Sequence, residues 1–89
     1  MEVRMKEFSY TVTDAQGLHA RPAGLLVRAA AEFPCDVFIT NGKILRNAKR
    51  IFEVMSLGIK YGDTMILKTD GEKEDEAIEA LSKFCKSNL

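Results

Sequence analysis

The stretch EFSYTVTDAQGLHARPAGLLVRAAAEFP, residues 7–34, changes its apolar period part-way along. From Glu7 to Thr13, Phe8, Tyr10 and Val12 alternate with Glu7, Ser9, Thr11 and Thr13. That is the period of a strand with one wet face and one face against a core. Beyond Gln16-Gly17, Ala23, Leu26, Val27, Ala30 and Phe33 recur at helical spacing, which predicts a helix from about Ala20 to Phe33. Pro34 ends it, having no amide hydrogen to continue the ladder.

Outward from this stretch the same two periods alternate. Val37-Phe38-Ile39 reads as a short apolar strand, followed by Asn41-Gly42 and then Ile44 and Leu45. Asn-Gly between two such runs predicts a hairpin on a two-residue type I′ turn, whose central residues both need positive φ. A compact helical pattern then closes near Leu57, with Asn47 in position to cap its start and Gly58 suited to the left-handed conformation past its end. Tyr61-Gly62-Asp63 reads as a turn, Thr64 to Thr69 as the last strand, and Asp70-Gly71 as the next break. The final segment sets Ala77, Ile78, Leu81 and Cys85 on one stripe, with acids in its first turns where the helix dipole favours them. The order β-α-β-β-α-β-α predicts an α+β sandwich, one sheet with helices on a single face.

Eighty-nine residues without repeat, linker or low-complexity tract fit a single domain, 1–89. No apolar run is long enough to cross a bilayer, and Met1 to Lys6 has no apolar signal core behind it. The expectation is a cytoplasmic protein with no membrane insertion. Cys35 and Cys85 show no CxxC or Cys/His ligand spacing, which predicts free, partly buried thiols and no metal. Net charge is zero, so no global field draws the chain to nucleic acid or membrane. Between Lys43 and Lys60 five basic residues face one acid, and Asp70 to Glu79 holds six acids and Lys73; each reads by itself as a solvated face.

The only histidine, His19, falls between the turn glycine and the first helical residue, in Gly17-Leu18-His19-Ala20-Arg21-Pro22-Ala23. There the backbone N–H groups of Ala20, Arg21 and their neighbours have no intrahelical partner and form an anion site. Pro22 suits the first turn, where no amide hydrogen is needed. The positive helix end and Arg21 both disfavour a second proton on the ring, leaving one ring nitrogen with a free lone pair. A phosphoryl group carried on that nitrogen would meet amide donors and a guanidinium able to bind two of its oxygens. From position alone, the alternative is an ordinary cap or surface histidine.

These residues resemble the active-site signature of the HPr family, the histidine-containing phosphocarriers of the bacterial sugar phosphotransferase system. The likeness runs along essentially the whole chain, through Asn41-Gly42-Lys43, Val54-Met55-Ser56-Leu57-Gly58-Ile59-Lys60, Gly62-Asp63 and the final acidic-start helix. It implies an open-faced β-sandwich, four antiparallel strands ordered 1-4-2-3 with three helices on one side. It also implies that His19 takes a phosphoryl group on Nδ1 from phosphorylated enzyme I and passes it to the IIA domains of sugar permeases. Arg21 would move against the phosphoryl oxygens, and no cofactor or metal is implied on the carrier. Such a carrier needs only a shallow, solvent-facing helix end in place of a pocket.

A helical wheel on the second helix puts Val54 and Leu57 on one side and Ile51, Phe52 and Met55 on the other. The second group predicts an exposed apolar patch suited to several partners. With the resemblance, Ile51, Phe52 and Met55 are expected to join Ala20, Arg21, Gly24 and Arg28 in one docking face. The departure from the family is Arg50, where many members carry a serine that a dedicated kinase phosphorylates; arginine cannot be modified that way. Since the serine also caps the helix there and arginine caps poorly, Asn47 is expected to start the helix three residues earlier, and Ser56 to help close it.

Two other classes compete. A small nucleic-acid-binding module is suggested by the basic segment, but there is no RNP-like aromatic pair, GxxG clamp or overall basicity. A regulatory adaptor of the same fold would bind partners without transferring phosphate; such paralogues lack the histidine and keep the serine, the reverse of this chain. A monomer is the expectation for a shuttle.

Overall fold

The computed structural model describes residues 5–89; the first four residues of the Met1 to Lys6 segment, read above for a signal core, lie outside them. The elements are β1 (Met5–Thr11), α1 (Ala20–Ala31), β2 (Asp36–Thr40), β3 (Leu45–Asn47), α2 (Ile51–Met55), β4 (Thr64–Asp70) and α3 (Glu74–Asn88). The four strands form one sheet in the order β1-β4-β2-β3, antiparallel at every pairing. Alternation along β4 buries Met65, Leu67 and Thr69 and leaves Ile66 and Lys68 partly open. Ala23, Leu26 and Ala30 of α1 and Ala77, Leu81 and Cys85 of α3 complete the core from the helical side. The order and layering are those expected from the alternating periods and the resemblance.

Several boundaries differ from the expectations, each for a local reason. The first strand begins and ends two residues earlier than Glu7 to Thr13, yet Val12 remains fully buried. Its amide donates to Asp63 O at 2.9 Å, and its carbonyl accepts from Gly62 N at 2.9 Å. The first helix ends at Ala31 instead of Phe33, ahead of Pro34.

The hairpin is not a two-residue type I′ turn. Thr40 pairs with Leu45, so four residues make the loop, and only Gly42 among them has positive φ, 96°. Asn41 acts through its side chain: Oδ1 accepts from Lys43 N at 2.9 Å and Ile44 N at 3.0 Å. This Asx-type closure replaces the second positive φ.

Asn47 does not cap α2. Its backbone belongs to β3, opposite Phe38, and its Oδ1 accepts from Lys49 N at 2.9 Å, within the connection. The residue at the N-cap is Arg50, in extended conformation and without a side-chain cap bond. The Glu53 carboxylate instead reaches back to Asn47 N at 3.0 Å, so the short helix is tied to β3 by an acid in its first turn. Ser56 closes α2 as expected, its hydroxyl donating to Glu53 O at 2.6 Å.

Both cysteines are free and buried more deeply than expected. Burial pushes the Cys85 thiol up to about 12 and the Cys35 thiol in the same direction, there opposed by Lys49. Cys35 and Cys85 are shielded from solvent, at 2% and 0% exposure. Among the described residues no helix is long and apolar enough to cross a membrane, and no three His, Cys, Asp or Glu side chains group as a metal site.

Candidate functional site

The loop before α1 is held in place from below. Gly17 sits at φ 69°, and a Cβ there would lie 2.7 Å from both Ile59 O and Lys60 Cα. The next residue, Leu18, is buried and donates its amide to Ile59 O at 3.0 Å. Backbone packs directly on backbone, so the chain leaves this contact with His19 at one defined place.

His19 is the N-cap of α1 in extended conformation, and its carbonyl accepts from Ala23 N at 3.0 Å. Its imidazole makes no cap bond to the helix and keeps 35% of its surface in solvent. The ring is therefore outside the core and reachable. With Pro22 lacking an N–H, the amides open at this end are those of Ala20 and Arg21, neither bonded to any described residue. Arg21 is exposed and enters no ion pair among the described residues. An accessible ring, two open amides and an unspent guanidinium can receive a small dianion.

His19 and Arg21 border a shallow cleft of about 300 Å³, closed on its far side by Ser87 and Asn88 of α3. The sequence reading expected no pocket, and this depression is an addition made by α3 docking beside α1. A larger hollow of about 490 Å³ lies at the start of α3 among Asp70, Lys73 and Glu74 to Glu76; it holds no nucleophile and its walls are mostly acidic.

Besides Ser87 and Asn88, two residues of the cleft, Leu25 and Asp14, escaped the sequence reading. Leu25 of α1 lines it and is 39% exposed. Asp14 places Oδ2 3.9 Å from His19 Nε2. Its turn-forming character was visible, since its Oδ1 accepts from Gln16 N at 2.8 Å in the manner of Asp at turns. That the other oxygen faces the imidazole was not visible, because it depends on how the whole loop docks.

Of the expected docking residues, Ala20, Arg21 and Arg28 are exposed on α1, and Phe52 and Met55 are exposed on α2, Phe52 at 84%. Ile51 departs from the wheel reading. It is half-buried against the core, and a Cβ on the half-buried Gly24 would lie 3.7 Å from its Cδ1. Ile51 and Gly24 thus form the seam where the two helices meet, because α2 leans on α1 with its first residue. Arg50 is exposed, with Nε 3.9 Å from Glu53 Oε2.

The family model described as the PTS HPr component phosphorylation site matches residues 6–87. The phosphocarrier protein HPr of Mycoplasma genitalium is 35% identical over 85 residues, 94% of this chain and 97% of that protein. A crystal structure of HPr from Thermoanaerobacter tengcongensis is 38% identical, covers 92% of each chain and superposes with a TM-score of 0.87. Crh of Bacillus subtilis, described as a catabolite repression protein and a swapped dimer, is also 38% identical, with 90% and 92% covered and a TM-score of 0.74.

Proposed function

This chain belongs to the HPr family of phosphotransferase-system phosphocarriers, and on that basis we propose that His19 carries the phosphoryl group, taking it on Nδ1 from phosphorylated enzyme I and yielding it to the IIA domains of sugar permeases. The observation that carries this reading is the N-cap geometry of His19: a solvent-reaching ring that leaves the Ala20 and Arg21 amides unspent.

The step is a transfer between nitrogen nucleophiles. The Nδ1 lone pair attacks phosphorus, the bond from phosphorus to the donor nitrogen breaks, and the donor nitrogen keeps that pair. Nε2 retains its hydrogen, so the phosphorylated ring is cationic. Amides at the helix start and the Arg21 guanidinium take up charge on the phosphoryl oxygens, and the partner supplies the rest when it closes over the shallow cleft. An open site keeps the group transferable, whereas a deep cage would retain it.

Docking is assigned to Ala20, Gly24, Arg28, Ile51, Phe52 and Met55 around His19 and Arg21, with Phe52 and Met55 the apolar contacts and Ile51 supporting them from the seam. Arg28 steers acidic partner surfaces. With Arg50 at the family's serine position, the kinase-driven switch is absent from this carrier, which acts as a cytoplasmic monomer without a cofactor. The likeness to Crh raises a non-transferring adaptor as the second reading.

Incubation with phosphoenolpyruvate and enzyme I separates the two. We expect one acid-labile phosphoryl group per chain by mass spectrometry, and none on His19→Ala. An unlabelled wild-type chain beside a labelled control carrier, or a labelled His19→Ala chain, overturns the carrier reading.

A further inference from the structure

We propose that Asp14 is a positioning residue for His19, whose carboxylate holds the ring proton on Nε2 and so leaves the attacking lone pair on Nδ1; the transfer part of this inference rests on the carrier reading above. Asp14 is fixed on three sides. Its amide donates to Leu89 O at 2.7 Å, its carbonyl accepts from Gly17 N at 2.9 Å, and Oδ1 accepts from Gln16 N at 2.8 Å. What remains is Oδ2, which lies 3.9 Å from His19 Nε2.

That separation is within ion-pair range and longer than a hydrogen bond. Catalytic contacts of this kind shorten once the reacting group is bound. Both side chains are about two-thirds shielded, the imidazole at 35% and the carboxylate at 30% exposure, so solvent screens their interaction only in part. A carboxylate is an acceptor only, and the neutral imidazole has one donor and one acceptor nitrogen. The tautomer that turns N–H toward Asp14 is therefore favoured, and the other nitrogen keeps its pair.

The remaining charges of the cleft give Asp14 a second part to play. Arg21 and the start of α1 are positive, α3 contributes the neutral Ser87 and Asn88, and Asp14 is the only acid lining the cleft among the described residues. Phosphorylation of Nδ1 with Nε2–H retained puts positive charge on the ring, where Arg21 and the helix end oppose it. Asp14 supplies the countercharge at the nitrogen remote from phosphorus.

The test uses ring ¹⁵N NMR on the unphosphorylated protein under conditions where the imidazole is uncharged. D14N keeps an acceptor for the Gln16 amide but turns an NH₂ donor toward Nε2, and D14S keeps a hydroxyl acceptor with no charge. We expect the ratio of Nε2–H to Nδ1–H tautomer to fall at least threefold in both, and phosphoryl acceptance from enzyme I to slow several-fold. An unchanged tautomer ratio in folded D14N and D14S overturns the proposal whatever happens to transfer. A wild-type chain that accepts no phosphoryl group sinks the carrier reading instead and leaves the tautomer result to judge Asp14 alone.

Discussion

At His19 and its neighbours the chemistry depends on what each group leaves unused. The ring spends nothing on capping the helix, and among the described residues Arg21 spends nothing on an ion pair, so both are available to a dianion. Arg21→Glu should slow phosphoryl transfer about ten- to a hundredfold, about 1.4 to 2.7 kcal/mol in the barrier, with an unchanged unfolding curve because the side chain is exposed at the helix start. Normal transfer in a folded Arg21→Glu chain would remove the guanidinium from the mechanism. Gly17 holds the ring's position from behind. Because a Cβ there meets Ile59 O and Lys60 Cα at 2.7 Å, Gly17→Ala should cost about 1–3 kcal/mol, the range for overpacking, and shift the His19 amide resonance. A denaturation midpoint equal to wild type would show that the loop gives way freely.

Among the elements, α2 carries the largest exposed apolar side chain. It is only five residues long, has no side-chain cap, and buries Val54 while turning Phe52 outward. A helix this short holds its shape through tertiary contacts rather than propensity, here through Glu53 to the Asn47 amide and Ile51 against Gly24. Phe52→Lys removes apolar contact area without touching either tie. We expect stability within about 0.5 kcal/mol of wild type, as for surface substitutions, and affinity for donor and acceptor reduced at least tenfold, by titration calorimetry. Unchanged affinity for both would place the docking surface elsewhere.

For the molecule as a whole, the sheet-and-helix core leaves its two thiols no solvent, and that gives stability an alkaline limit. Cys85 ionises at about 12 in the fold against an ordinary 9.0. Between those values the unfolded chain gains free energy by ionising and the folded chain does not, so stability present below pH 9.0 is lost as pH rises toward 12. Cys35 acts with the same sign. Urea unfolding across that range should show the wild-type midpoint falling more steeply than that of Cys85→Ala, whose neutral side chain has no proton to lose. Parallel slopes would contradict the assignment.

Much of the architecture was legible without coordinates. Period two, helical spacing and turn chemistry are local properties, and they carried the element order, the helix start at Ala20 and the left-handed Gly58, which has φ 61°. The likeness of separated segments to HPr carried the strand order. Asn47 misled because its cap chemistry is local while its commitment to pair with Phe38 is not. Ile51 was misplaced for a related reason: a helical wheel says which residues share a side, but not which neighbour leans on that side. The 3.9 Å approach of Asp14 to His19 belongs to the same class. It exists because a loop braced by Ile59 and Leu89, far along the chain, folds one carboxylate oxygen toward the ring. Short-range stereochemistry is written residue by residue, whereas the meeting of distant side chains is settled only when the core closes around them.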